Sequence, residues 1–148
     1  MGAGDAWAMT TSIDTNVIVA LWDKDPDVST HAQQALDTAL GRGSLVLSGP
    51  VFAELMAAPG RTEAFLNRFC SETGLVVEFD LDEDIWQLAG RALQSYASRR
   101  RKQREPGPRC ILADFLIGAH AHHRGYRLLT LDGHLYHAAF SNLAVITV

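Results

Sequence analysis

Residues 110–132 read CILADFLIGAHAHHRGYRLLTLD, and the fold is decided by how this stretch divides. An apolar helix runs from about Cys110, stops at Gly125, and gives way to a short strand over Arg127 to Thr130. Asp114 lies in the first helical turn among Cys110, Ile111, Leu112, Phe115 and Leu116. An ionised carboxylate in that company is expensive to desolvate and requires a partner or a cation. Asp132 follows Leu128-Leu129-Thr130-Leu131, where a strand leaves its sheet. If other strands end on acids too, those acids meet.

Working outward, the same grammar recurs. Thr10 to Ile13 reads as a strand ending on Asp14, followed by a short apolar helix or turn over Val17 to Trp22. The polar cluster Asp23 to Asp27 closes that turn, and a helix spans about Ser29 to Leu40. Leu45 to Ser48 is a second strand, and Pro50 suits the opening turn of a helix carrying Glu54. Thr62 to Thr73 forms a further helix with Phe65, Leu66 and Phe69 inward and Gly74 as its C-cap. Leu75 to Val77 is a third strand. A long helix then starts at Asp80 to Asp84, where acids suit the dipole, and ends in the cations Arg99 to Arg104 before Pro106-Gly107-Pro108. Ala144 to Thr147 is a fifth strand.

Strands alternating with helices predict one layered α/β domain with a parallel sheet. In such sheets the crevice lies beyond the carboxyl ends of the strands. Asp14, Glu54 and Asp132 all follow strand ends. Asp114 opens the helix before a strand, so spacing alone does not bring it there.

A chain of 148 residues, 47% hydrophobic and 20% charged, can bury one core. The apolar runs are far too short for a membrane span. Cys70 and Cys110 make no disulfide framework or metal-thiolate motif and suit a reducing cytoplasm. Residues 1–9 are expected to be a tag remnant or disordered extension, with Met9 as the natural start and the domain over 10–148. Residues 1–97 carry 5 Lys/Arg against 14 Asp/Glu, and residues 98–148 carry 8 against 3. The net charge of -4 is thus split into -9 and +5, which allows an acidic site beside a basic docking surface.

Four carboxylates sharing a crevice cannot all stay charged without a cation. An all-oxygen donor set suits Mg²⁺ or Mn²⁺, and such ions serve phosphodiester hydrolysis. Taken singly, each acid has an ordinary reading as a turn, cap or exposed helix residue; the four together, at element ends, are harder to explain that way.

The segment Ser12-Ile13-Asp14-Thr15-Asn16-Val17, Ser48 with Glu54, Leu112-Ala113-Asp114 and Leu129-Thr130-Leu131-Asp132 together resemble the PIN-domain pattern. Within it the VapC-type toxins of bacterial toxin–antitoxin pairs are most similar. The resemblance implies a five-stranded parallel sheet sandwiched between helices. It also implies an endoribonuclease dependent on Mg²⁺ or Mn²⁺, an RNA substrate, an antitoxin partner and a homodimer. It brings Asp114 to the other acids, so that Asp14, Glu54, Asp114 and Asp132 would be the catalytic and metal-holding group. Asn16, Ser48 and Thr130 would orient them by hydrogen bonds. His134 stands where related chains often have an acid or Asn, which puts a second metal ion in question.

Five of the six histidines lie between His120 and His137. Because helix residues step by roughly 100°, His120, His122 and His123 do not converge as zinc requires, and a solvated helix end is expected. Gly118 and Ala121, near the face of Asp114, would leave room for a ligand. The run Arg99, Arg100, Arg101, Lys102 and Arg104 would contact RNA phosphates or an acidic antitoxin segment, or simply be a solvated face. Trp22, Trp86 and Tyr96 read as core. The alternatives are a haloacid-dehalogenase-like phosphatase with Asp14 as nucleophile, and a non-catalytic domain that binds RNA or a partner. Asn16 stands where such a phosphatase would need a second Asp.

Overall fold

Thr11, Ser12 and Ile13 are all buried, and they carry the chain through the middle of the molecule before Asp14 turns it. The computed structural model describes residues 9–103 and 112–148. Residues 1–8, Arg104, Cys110 and the Pro106-Gly107-Pro108 segment, each given a reading above, lie outside the described residues.

The central strand β1 (Thr11–Ile13) sits in a five-stranded sheet ordered β3-β2-β1-β4-β5. The others are β2 (Leu45–Ser48), β3 (Val76–Glu78), β4 (Arg127–Thr130) and β5 (Val145–Thr147). Every pairing is parallel. Parallel neighbours need crossovers, and helices supply them. These are α1 (Thr15–Leu21), α2 (Pro26–Leu40), α3 (Gly49–Met56), α4 (Glu63–Thr73), α5 (Glu83–Lys102), α6 (Leu112–Arg124) and α7 (His134–Ala139). This is the α/β architecture predicted from the alternation.

Burial explains the strand sequences. β1 and β2 are buried throughout, and Leu128, Leu129 and Thr130 of β4 are buried too, as strands covered on both faces should be. The edge strands β3 and β5 are partly exposed. Register then fixes the site: Ile13 pairs with Leu129, so Asp14 and Thr130 leave the sheet side by side.

Several local readings change. α2 starts at Pro26, three residues earlier than expected, because Asp25 caps it by accepting from the Asp27 amide at 2.9 Å. β3 is shifted by one residue, and α7 was not anticipated. Phe65 and Phe69 are half-buried, stacked edge-on against Trp22 with centroids 5.7 and 5.2 Å away. Trp86 is 49% exposed and is not core. His120 is not at a solvated helix end either, being 0% exposed. The space beside Gly118 holds the rings of Phe140 and Tyr136, which leave no room for a Cβ and none for a ligand.

Candidate active site

Asp14 ends β1 and begins α1, so its backbone is still extended while its carboxylate already caps the helix. Its Oδ1 accepts from the Thr15 amide at 2.8 Å. Its Oδ2 accepts from the Thr130 hydroxyl at 2.8 Å and the Tyr136 hydroxyl at 3.0 Å. All three donors are neutral. Asp14 is only 4% exposed, and burial pushes its carboxyl above the usual range; the hydrogen bonds work against that, and Glu54 adds to it.

Thr130 joins the elements. While donating to Asp14, its oxygen accepts from the Asp132 amide at 3.1 Å and from Asn16 Nδ2 at 3.4 Å. Asn16 Oδ1 in turn accepts from the Leu131 amide at 3.1 Å, tying α1 to the end of β4. Two of the three expected orienting residues therefore touch the site or its frame. Ser48 does not: its buried hydroxyl has no hydrogen-bond partner among the described residues.

The remaining acids arrive from three other elements. Glu54 on α3 is exposed and accepts from the Thr15 hydroxyl at 2.6 Å. Asp114 enters from the first turn of α6 and is pushed to about 6 by burial, then by Asp14 and Glu54, with Asp132 contributing less. Asp132 is exposed, and its Oδ1 accepts from the His134 amide at 3.2 Å. Asp14, Glu54 and Asp114 line one cavity of about 490 Å³. Asp114 and Asp132 line a neighbouring one of about 530 Å³, together with Arg99, Arg100 and His134. Asp114 faces both, so the doubt left by spacing is resolved by the position of α6.

Sequence reasoning missed Tyr136. Its phenol is buried, and burial with the surrounding acids pushes it far above its ordinary range, so it remains a proton donor. The short segment His134 to Ala139, a helix that begins directly after the Asp132-Gly133 pair, held the only local signal, and nothing in it pointed to Asp14. Thr15 was also missed, although it links the Glu54 carboxylate to the end of β1.

The donor set fits a hard divalent cation. It is all oxygen, its two less exposed carboxyls are both held above their usual range, and the hydrogen bonds to Asp14 bring no positive charge. A second group, Asp82, Asp84 and His123, has ligand atoms within 4.8 Å of one another. It is exposed, and Asp82 already caps α5.

The family model described as PIN domain matches residues 12–141. The chain belongs to the PIN domain family. PIN domains are nucleases that generally depend on a divalent metal ion, which agrees with the donor set. Asn16, in the place where a phosphatase of the alternative kind would need a second Asp, is instead bonded to Thr130 and the Leu131 amide, and with the family match this leaves the phosphatase alternative without support.

No curated protein matches the sequence. Among solved structures this PIN domain is similar to VapBC2 from Rickettsia felis, solved bound to a DNA fragment from their promoter. That match has TM-score 0.65 and 20% identity, over 94% of this chain and 98% of the other. It is also similar to VapBC-1 from nontypeable Haemophilus influenzae, with TM-score 0.63 and 24% identity over 94% and 98%. A toxin–antitoxin complex from Klebsiella pneumoniae matches with TM-score 0.60 and 17% identity over 93% and 96%. At these identities the likeness is one of fold. Among the described residues no helix is long and apolar enough to cross a membrane.

Proposed function

We propose that this PIN domain is an endoribonuclease using Mg²⁺ or Mn²⁺, and that it is the toxin of a type II toxin–antitoxin pair in the cytoplasm. The observation that carries the nuclease reading is the acid cavity. Asp14, Glu54 and Asp114, from separate elements, face one space that Asp23 also lines, and the most buried of them, Asp14, is bonded only by neutral donors.

Asp14, Glu54, Asp114 and Asp132 would hold the ion. A bound divalent ion would supply charge neutralisation at the phosphoryl oxygens and a water of lowered pKa. The chain's own residues prepare for that. Thr130 and Tyr136 donate to Asp14 Oδ2, and the Thr15 amide to Oδ1, so rotating the central carboxylate would break three hydrogen bonds. Tyr136 keeps its proton and continues to donate it to Asp14. The Thr15 hydroxyl holds Glu54 toward the same cavity.

The toxin reading is supported by the likeness to VapBC and toxin–antitoxin structures, and it brings an antitoxin partner and a homodimer as further proposals. The test is cleavage of RNA with added Mg²⁺ or Mn²⁺, comparing wild type with Asp14→Asn and Asp114→Asn. Loss of cleavage in both variants and on adding EDTA is expected; equal cleavage by all three proteins would overturn the assignment.

A further inference from the structure

A substrate strand made of phosphates meets a difficulty at this site, because Asp14, Asp23, Glu54 and Asp114 all line the acid cavity and repel it. Affinity for RNA comes mainly from cations along its backbone, so they must stand beside the acids. The acid cavity shares lining residues with two others. Val19 and Asp23 also line a further cavity of about 390 Å³, which is walled by Trp22, Lys24 and Arg61. Asp114 opens onto the cavity of about 530 Å³ that holds Arg99 and Arg100. The outer two cavities share no lining residue, so the acid cavity adjoins one cation-bearing cavity at Val19 and Asp23 and a separate one at Asp114.

The end at Arg61 is built, not incidental. The Arg61 guanidinium lies 4.4 Å from the Trp22 ring centroid and 4.7 Å from that of Phe65. Stacking restrains a side chain whose freedom would otherwise be lost on binding, and leaves the N–H edge of the fork for an anion. Among the described residues no carboxylate forms an ion pair with Lys24, Arg61 or Arg99. At the other end Arg100 lies over the Tyr96 ring at 5.7 Å, a second cation set against an aromatic face.

We propose that single-stranded RNA lies along all three cavities, its phosphates held by Lys24 and Arg61 on one side of the acids and by Arg99 and Arg100 on the other. The inference rests on the nuclease reading for what happens in the middle, and it adds a path and a binding subsite at Trp22, Lys24 and Arg61. Each cavity is of a size that accommodates a drug-sized ligand, so the path takes roughly three nucleotides. Linked concavities suit a flexible strand better than a stiff A-form duplex.

The test separates binding from cleavage. Anisotropy of a short labelled, unstructured single-stranded RNA is titrated with the full chain in EDTA at several salt concentrations. The pairs Lys24→Ala with Arg61→Ala, and Arg99→Ala with Arg100→Ala, should each weaken binding. Each should also flatten the slope of log affinity against log salt by roughly 0.7 per cation removed. Arg42→Ala with Arg68→Ala removes the same charge from positions lining none of the three cavities, and should change neither. Arg61→Lys, which keeps the charge and loses the stack, should keep the slope and weaken affinity. Equal losses in the control pair would mean net charge alone and would overturn the path, as would an effect confined to the Arg99 and Arg100 pair. Preference for duplex over single strand would overturn it too, as would variants that lose binding to an antitoxin protein while RNA binding stays intact. If wild type binds as described yet cleaves no RNA with Mg²⁺ or Mn²⁺, the nuclease reading fails and the path stands.

Discussion

Two carboxylates in this molecule have been treated in opposite ways. Glu78, at the end of β3, receives His120 Nε2 at 2.9 Å and Arg124 Nη1 at 3.4 Å on one oxygen and the Tyr126 hydroxyl at 2.7 Å on the other. Its charge is answered from within the chain. Asp14 receives only an amide and two hydroxyls, and its nearest charged neighbours are further acids. A chain able to set the Arg124 cation beside Glu78 leaves Asp14 without one. The first arrangement serves the fold; the second reserves a place for a cation from outside.

The two regions should therefore fail differently. The largest effect is on chemistry: Asp14→Asn and Asp114→Asn should each lower RNA cleavage by at least about 100-fold, while Asp114→Asn melts at the same temperature or higher at neutral pH. Glu78→Ala should do the reverse, keeping cleavage and losing about 2–3 kcal/mol of stability in denaturant titration, because His120 and Tyr126 are left without their acceptor. If Glu78→Ala abolished activity in a folded protein, the contrast would collapse.

Divalent cation should stabilise one region only. At a free concentration 100 times its dissociation constant it adds about 2.7 kcal/mol, seen as a raised melting temperature at pH 7.5 in wild type and Glu78→Ala but not in Asp114→Asn. At pH 5, where Asp114 largely holds a proton, the rise should shrink.

Without metal, pH should separate the regions by sign. Asp114 has a folded pKa of about 6 against 3.8 for the free group, so between these values the folded chain binds more protons. Stability from this group rises as pH falls through 6 toward 4. His120 is held below 6.5, first by its burial and despite Glu78. The unfolded chain then takes up the proton, so stability is lost as pH falls below 6.5. Asp114→Asn should remove the acid-side gain and His120→Gln the acid-side loss, as read from melts across pH 4 to 8. The smallest effect is Tyr136→Phe, which removes one hydrogen bond to Asp14 and should cost about 1 kcal/mol with a modest fall in cleavage. A null result on both readouts would remove Tyr136 from the site.

The sheet was legible because alternation and strand-end acids are local signals. Asp14 and Asp132 announce themselves by following buried strands, and Gly74 and Pro50 mark helix ends by backbone chemistry alone. Asp114 was placed only by the family resemblance, since a helix can cross the sheet in a position that spacing does not reveal. Tyr136 and the burial of His120 were not legible, because each depends on a partner more than forty positions away. Trp86 was misjudged for a related reason: composition says that tryptophan is usually covered, not which helix face the long α5 turns inward.

The Thr130 hydroxyl, bonded at once to Asp14 and to the Asp132 amide, makes strand register a safeguard. Shifting β4 by one residue against β1 would turn Thr130 to the opposite face and part the two acids. The acids themselves are scattered from position 14 to position 132, so a chain still emerging from the ribosome carries only fragments of the site. Activity should appear only when the last strands and the Tyr136 helix have docked. A half-made copy of this protein is therefore expected to be harmless to the RNA around it.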